Sequence, residues 1–109
     1  MHEVVFVRIY IKEGDKDQGH DLMREVFKLL HDQHKVHGVT VFRGIAGFGS
    51  HGVHFADDLF RVNVQLPLVI EFFDEPAVVD ALFPSILRMV SGDHIVRWKA
   101  ECLADFGTK

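Results

Sequence analysis

Four of the nine glycines of this chain fall between Arg43 and Phe55 (RGIAGFGSHGVHF), and Gly47, Gly49 and Gly52 among them spell G-x-G-x-x-G. Glycines at this density let a backbone approach a ligand closely and adopt positive φ, so that successive N–H groups can cradle an anion. Two chemistries use such a segment: the pyrophosphate turn of a dinucleotide-binding fold, and a loop that holds a small anion at its base. The first needs a strand before the glycines and a helix after them, so that the pyrophosphate meets a helix N-terminus. A strand precedes, and Glu71 lies downstream where a ribose-binding acid would be sought. However, Val53 to Gln65 (VHFADDLFRVNVQ) is a poor helix, with Val62 and Val64 alternating as in a strand. The context favours the loop.

Histidine is the other abundant reactive type, with eight in the chain. His31, His34 and His37 are spaced three apart, and two such residues on a helix can share a metal ion, with Asp32 or another chain adding a ligand. His51 and His54 form a second candidate pair inside the glycine segment. Against the metal reading, histidines near a helix C-terminus are favoured by the helix dipole alone, and Gly38 beside His37 marks that terminus. Ser50 has histidine neighbours but no acid to orient them, and a glycine loop is a poor platform for a nucleophile. With no catalytic set, the chain is not expected to be an enzyme. Cys102 is the only cysteine, which excludes an intrachain disulfide and a cysteine-based zinc site.

Composition narrows the partners. The chain has 109 residues and a formal charge of -4, so it reads as one domain, 1–109, without the basic surface that nucleic-acid binding requires. His2, Glu3 and Arg8 do not make a signal-peptide start, and no apolar run approaches the roughly 18 residues of a membrane span. The expected location is cytoplasmic.

The elements that must position the glycines follow from periodicity. Val4 to Lys12 (VVFVRIYIK) is rich in β-branched and aromatic residues and predicts a strand. From His20 to Val36, Leu22, Met23, Val26, Phe27, Leu29 and Leu30 recur at helical spacing. A second strand starts at Val39 and dissolves near Phe48, and a third runs from Leu66 to Phe73. Asp74, Glu75 and Pro76 look like an acidic cap and a first-turn proline, opening a helix to about Val90. Pro84 should kink or interrupt it. Ile95 to Phe106 alternates as a last strand, which would make Cys102 a packed core thiol. The order β-α-β-β-α-β is the ferredoxin-like α+β sandwich, with both helices on one face of an antiparallel sheet.

That topology leaves one sheet face uncovered, and its residues are apolar. In the first strand Val5, Val7, Ile9 and Ile11 share one face while Phe6 and Tyr10 flank Arg8 on the other. In the third, Leu68, Ile70 and Phe72 oppose Val69, Glu71 and Phe73. Oligomerisation through the open face is the economical cover; the alternative is that the chain tail or the 49–65 connection folds over it. That connection is longer than compact domains usually tolerate without a function, and is expected to be mobile.

The order of elements, the length and the glycine segment together resemble the PII signalling proteins, ferredoxin-like trimers whose second strand runs into a T-loop. Gly47-Phe48-Gly49-Ser50-His51-Gly52-Val53-His54 is similar to the start of that loop, one residue shorter. A PII-like conserved domain family is closer still. Its L-R-I-Y-I start, R-G-I-A-G-F-G centre, L-P-x-V-I-E strand and P-x-L-x-x-M helix are similar to Val7-Arg8-Ile9-Tyr10-Ile11, Arg43-Gly44-Ile45-Ala46-Gly47-Phe48-Gly49, Leu66-Pro67-Leu68-Val69-Ile70-Glu71 and Pro84-Ser85-Ile86-Leu87-Arg88-Met89 here, with Val7 and Ile86 standing where the family has leucine. The resemblance implies a homotrimeric regulatory protein that binds an adenine nucleotide or another small anion between subunits. It implies a ligand site from Arg43, Gly44, Gly47, Phe48 and Gly49, from Gly92, Asp93 and His94 in the place of the PII B-loop, and from Arg97. Histidine stands where that B-loop carries lysine, so a mono- or dinucleotide fits as well as a triphosphate. Ser50 to His54 would contact a partner such as a membrane transport protein. A metal-binding trimer using His31, His34, His51 and His54 is the alternative.

Overall fold

The computed structural model describes residues 1–34, 36–49, 52–55 and 65–106. Its strands are β1 (His2–Lys12), β2 (Lys16–Asp17), β3 (His20–Asp21), β4 (Val39–Arg43), β5 (Ala46–Gly49), β6 (Gly52–Phe55), β7 (Pro67–Asp74) and β8 (Ile95–Cys102). Helix α1 (Leu22–Lys28) lies between β3 and β4, and α2 (Pro76–Ile86) between β7 and β8. The main sheet has the order β4-β7-β1-β8 with every neighbouring pair antiparallel. This is the ferredoxin-like α+β arrangement.

Period-two alternation builds the core. Along β7, Leu68, Ile70, Phe72 and Asp74 are buried, and the residues between them are half-buried. Register sets Ile70 opposite Ile9 and Phe72 opposite Val7. Leu22, Val26 and Leu30 from the α1 side and Val79, Leu82 and Ile86 from α2 close over these strands in one cluster. Full burial of a side chain such as Leu82 contributes about 1.5–3 kcal/mol.

Several boundaries differ from expectation. α1 is capped by the Asp21 side chain, which accepts from the Arg24 N–H at 3.2 Å, but it ends at Lys28 rather than Val36. A π-helical turn over Leu29–Gln33 follows, its widened bond running from the His34 N–H to the Leu29 carbonyl at 3.2 Å. Pro84 does not interrupt α2 at once; the helix passes through it and closes two residues later at Ile86. At the α2 start Glu75 is the cap position, but its side chain makes no capping bond. Asp74 is fully buried and accepts the His37 N–H at 2.7 Å and the Glu75 N–H at 2.8 Å, tying the start of α2 to the segment before β4.

β4 stops at Arg43, and the glycine segment is separate structure: Ala46–Gly49 pairs with Gly52–Phe55 as a two-stranded ribbon. The 49–65 connection therefore carries regular pairing in its first part, while Ser50, His51 and 56–64 lie outside the described residues. β8 ends at Cys102, short of Phe106. Cys102 is half-buried and sits opposite His2 on the face away from the helices, so it is not a core thiol.

The face away from the helices is apolar, as its alternation predicts. Phe6 stacks on Phe73 at 4.8 Å and on Trp98 at 5.3 Å between ring centroids, giving one aromatic row across three strands. Arg8 and Glu71 form an ion pair at 2.9 Å in the next row. Among the described residues the tail covers one end: Phe106 stacks on His37 at 4.2 Å and lies 5.9 Å from Phe73. Elsewhere Tyr10, Phe42, Val96 and Trp98 remain exposed.

Candidate functional site

Three chain segments meet at one end of the sheet: the turn after β1, the exit of β4 and the approach to β7. Register requires this, since Arg43 stands opposite Leu68 and Leu68 opposite Ile11. Their polar groups lock together. The Arg43 guanidinium donates twice to the Glu13 carboxylate, Nε to Oε2 at 3.0 Å and Nη2 to Oε1 at 2.9 Å. Oε1 of Glu13 also accepts the Leu66 N–H at 3.0 Å, and the Glu13 N–H returns a bond to the Leu66 carbonyl at 2.9 Å. A two-pronged arginine–carboxylate pair is among the stronger hydrogen-bonded arrangements. Burial pushes the Glu13 carboxyl up, but the Arg43 bonds, the Leu66 amide and the Arg43 charge outweigh it and hold the group below the usual glutamate range.

The same end is packed as well as pinned. The Gly44 N–H donates to the Pro67 carbonyl at 2.8 Å. A Cβ placed on Gly47 would sit 2.8 Å from Pro67 Cγ, so glycine is needed there for close approach and not for positive φ. Lys12 Nζ reaches both Gln65 Oε1 at 3.2 Å and Asp15 Oδ1 at 3.3 Å. Gly14, with φ of +86°, leaves room for the Gln65 side chain above it.

Gly47, Phe48 and Gly49 pair with His54, Val53 and Gly52 as a ladder. They are extended here and do not form the alternating nest expected of them; the described glycines with positive φ are Gly14 and Gly19. Phe48 is 87% exposed, projecting from the ribbon with a bare ring. Gly52, Val53 and His54 form the return strand, and Ser50 and His51 lie outside the described residues.

The second glycine turn, Gly92–His94, is a single 3₁₀ turn leading into β8. His94 Nδ1 lies 3.0 Å from the Tyr10 carbonyl. A carbonyl only accepts, so Nδ1 carries the proton, and Nε2 becomes a donor only when the ring is cationic. A hydrogen bond from Ser91 holds the Asp93 carboxyl below its usual range, with His94 helping and slight burial opposing. Ile95 pairs with Ile9, which puts this turn at the same end of the sheet as Arg43 but on the opposite edge. Three strand spacings of about 4.8 Å separate the two edges, roughly 14 Å. One chain therefore does not bring the two glycine segments together. Arg97 is on the helix side, paired with Asp80 at 2.8 Å and lying over Phe83 at 5.3 Å.

His31 stacks on Phe27 and bonds Asp32 at 2.7 Å, and His34 is half-buried. Among the described residues no three His, Cys, Asp or Glu side chains gather as a metal site. Glu13, Lys12 and Gln65 were not singled out by sequence reasoning. The charged turn Glu13-Gly14-Asp15 was a visible signal, but its partners lie far along the chain.

Comparison with known proteins follows the same lines. The chain is 30% identical over 96 residues to UPF0166 protein MJ1524 of Methanocaldococcus jannaschii, covering 88% of this chain and 87% of that protein. It is 30% identical over 91 residues to a UPF0166 protein of Aquifex aeolicus, covering 81% and 79%. Among solved structures it is similar to CPII, a nitrogen regulatory PII-like protein from Thiomonas intermedia K12 bound to ADP, AMP and bicarbonate. That likeness has a TM-score of 0.58 at 22% identity and covers 91% of this chain and 87% of the other, so the PII-like fold is shared. Residues 4–102 match the family model DUF190, described as Uncharacterized ACR, and the chain belongs to that family.

Proposed function

We propose that this chain is a PII-like regulatory protein, a homotrimer that binds a small anionic ligand, an adenine nucleotide, between subunits. The observation that carries this reading is the placement of its two glycine segments. They lie at one end of the sheet on opposite edges, so each edge offers half a site and a second copy supplies the other half. The aromatic row Phe73, Phe6 and Trp98 on the uncovered face supports an assembly that would bring edges together. CPII, bound to ADP and AMP, supports the ligand class.

In this reading Arg43, Gly44, Gly47 and Gly49 receive the phosphate from one edge, and Phe48 supplies its bare ring to the base. Gly92, Asp93 and His94 close the site from the other edge. Asp93 is ionised and suits a ribose hydroxyl better than a phosphate, while His94 Nε2 serves a phosphate oxygen when the ring is cationic. Arg97 contributes only if it leaves Asp80. The 49–65 connection then contacts a partner protein, for which a membrane transport protein is the class we favour. No helix among the described residues is long and apolar enough to cross a membrane.

Calorimetry with AMP, ADP, ATP and cyclic nucleotides tests the reading. Binding should weaken in Gly49→Val and in His94→Ala. Absence of binding at millimolar ligand, or binding untouched by both substitutions together, would refute the site.

A further inference from the structure

Glu13 sits where a ligand anion would be held. Its two oxygens take both parallel N–H groups of Arg43, and one of them also takes a backbone N–H, that of Leu66. A carboxylate gripped by an arginine fork and a backbone amide presents the same pattern of charge and acceptors as a bound phosphate or bicarbonate oxygen pair. Arg43 closes β4 immediately before Gly44, and its side chain is half exposed while that of Glu13 is more covered. The guanidinium is open to solvent on one side and satisfied by its own chain on the other.

We propose that Glu13 is an internal competitor for the anion site: it occupies Arg43 in the free protein, and an incoming phosphate displaces it. This rests on the nucleotide reading above and adds a residue and a regulation to it. The displacement has a structural consequence because Glu13 serves two partners at once. When a ligand oxygen takes the Arg43 fork, the carboxylate loses the cation that orients it, and the Leu66 N–H loses its well-placed acceptor. Leu66 is buried, so that N–H has no ready replacement in water. Ligand binding is thereby coupled to the hold on residues 65–67. Lys12 is already engaged, by Gln65 at 3.2 Å and Asp15 at 3.3 Å. Glu13 is a positioning residue here, acting on the ligand only through Arg43.

The experiment compares wild type, Glu13→Gln, Arg43→Gln and the double variant in calorimetry with ADP and, separately, with inorganic phosphate. Amide exchange of Leu66 is followed in the wild type with and without each probe. Glu13→Gln frees the fork and should tighten binding roughly two- to five-fold, the range a partly exposed ion pair supplies. Arg43→Gln should weaken it about tenfold or more, and adding Glu13→Gln to it should restore nothing. Leu66 exchange should quicken on ligand addition. If ADP binds the wild type but Glu13→Gln binds it no better and Leu66 exchange does not move, the competitor role is overturned while the nucleotide site stands. If ADP does not bind at all, the nucleotide reading fails and the phosphate arm decides. Tighter phosphate binding by Glu13→Gln than by wild type upholds the competitor, and equal or weaker binding overturns it.

Discussion

Gly47 offers a direct test of how the glycine segment is seated. A Cβ there would lie 2.8 Å from Pro67 Cγ, whereas carbon atoms in contact prefer roughly 3.5–4.0 Å, so at least about 0.7 Å of movement is needed. The obstacle is a proline ring on the first residue of β7, not the end of a flexible chain, so it yields little. Overpacking of this kind costs about 1–3 kcal/mol, and Gly47→Ala should lose that much stability in urea unfolding. Pro67→Ala removes Cγ but leaves Cβ at an ordinary 3.8 Å from the added methyl. Alone it should cost only about 0.4–1 kcal/mol, through freedom gained by the unfolded chain. The double variant should then be no worse than Pro67→Ala by more than a few tenths, a coupling of about 0.7–2.7 kcal/mol between touching residues. Strict additivity of the two single losses would refute the steric reasoning and leave Gly47 needed for its backbone freedom instead.

Other consequences follow from the same packing. Asp74→Ala removes at least two bonds that a buried carboxylate accepts from backbone N–H groups, each worth about 1.5–3 kcal/mol, and should cost about 3 kcal/mol or more on that scale; a loss near zero in urea melts would contradict the pinning role. Trp98→Glu puts a charge at the end of the open aromatic row and should give a folded monomer by light scattering, against an assembled wild type. A wild type that is monomeric at micromolar concentration would instead dismiss assembly through this face. Glu13 is held below the usual glutamate range, so its contribution is fully present above that range and is lost as pH falls through the lowered value. Stability should therefore drop on acidification more steeply in wild type than in Glu13→Gln, and equal slopes in urea melts at several acidic pH values would argue against the sign.

The sequence determined the elements and their inward faces, because burial of a strand or helix repeats with a short local period. Val5, Val7, Ile9 and Leu68, Ile70, Phe72 were legible as one buried face, and Phe6, Tyr10 and Phe73 as a second apolar face in want of cover. The glycine density around Gly47 and the turn at Gly92 were legible too. Their conformation was not. Gly47 to Gly49 is a paired strand because Gly52 to Phe55 returns beside it, a choice made by cross-strand bonding rather than by the glycines. Only the tertiary structure could join Glu13 to Arg43, 30 residues apart, and Asp74 to the His37 N–H, 37 residues apart. Charge alone does not name its partner; strand register does, by setting which ends meet. Register likewise decided that Arg43 and His94 share an end of the sheet but not an edge, and so made the completeness of the site a question for the assembly.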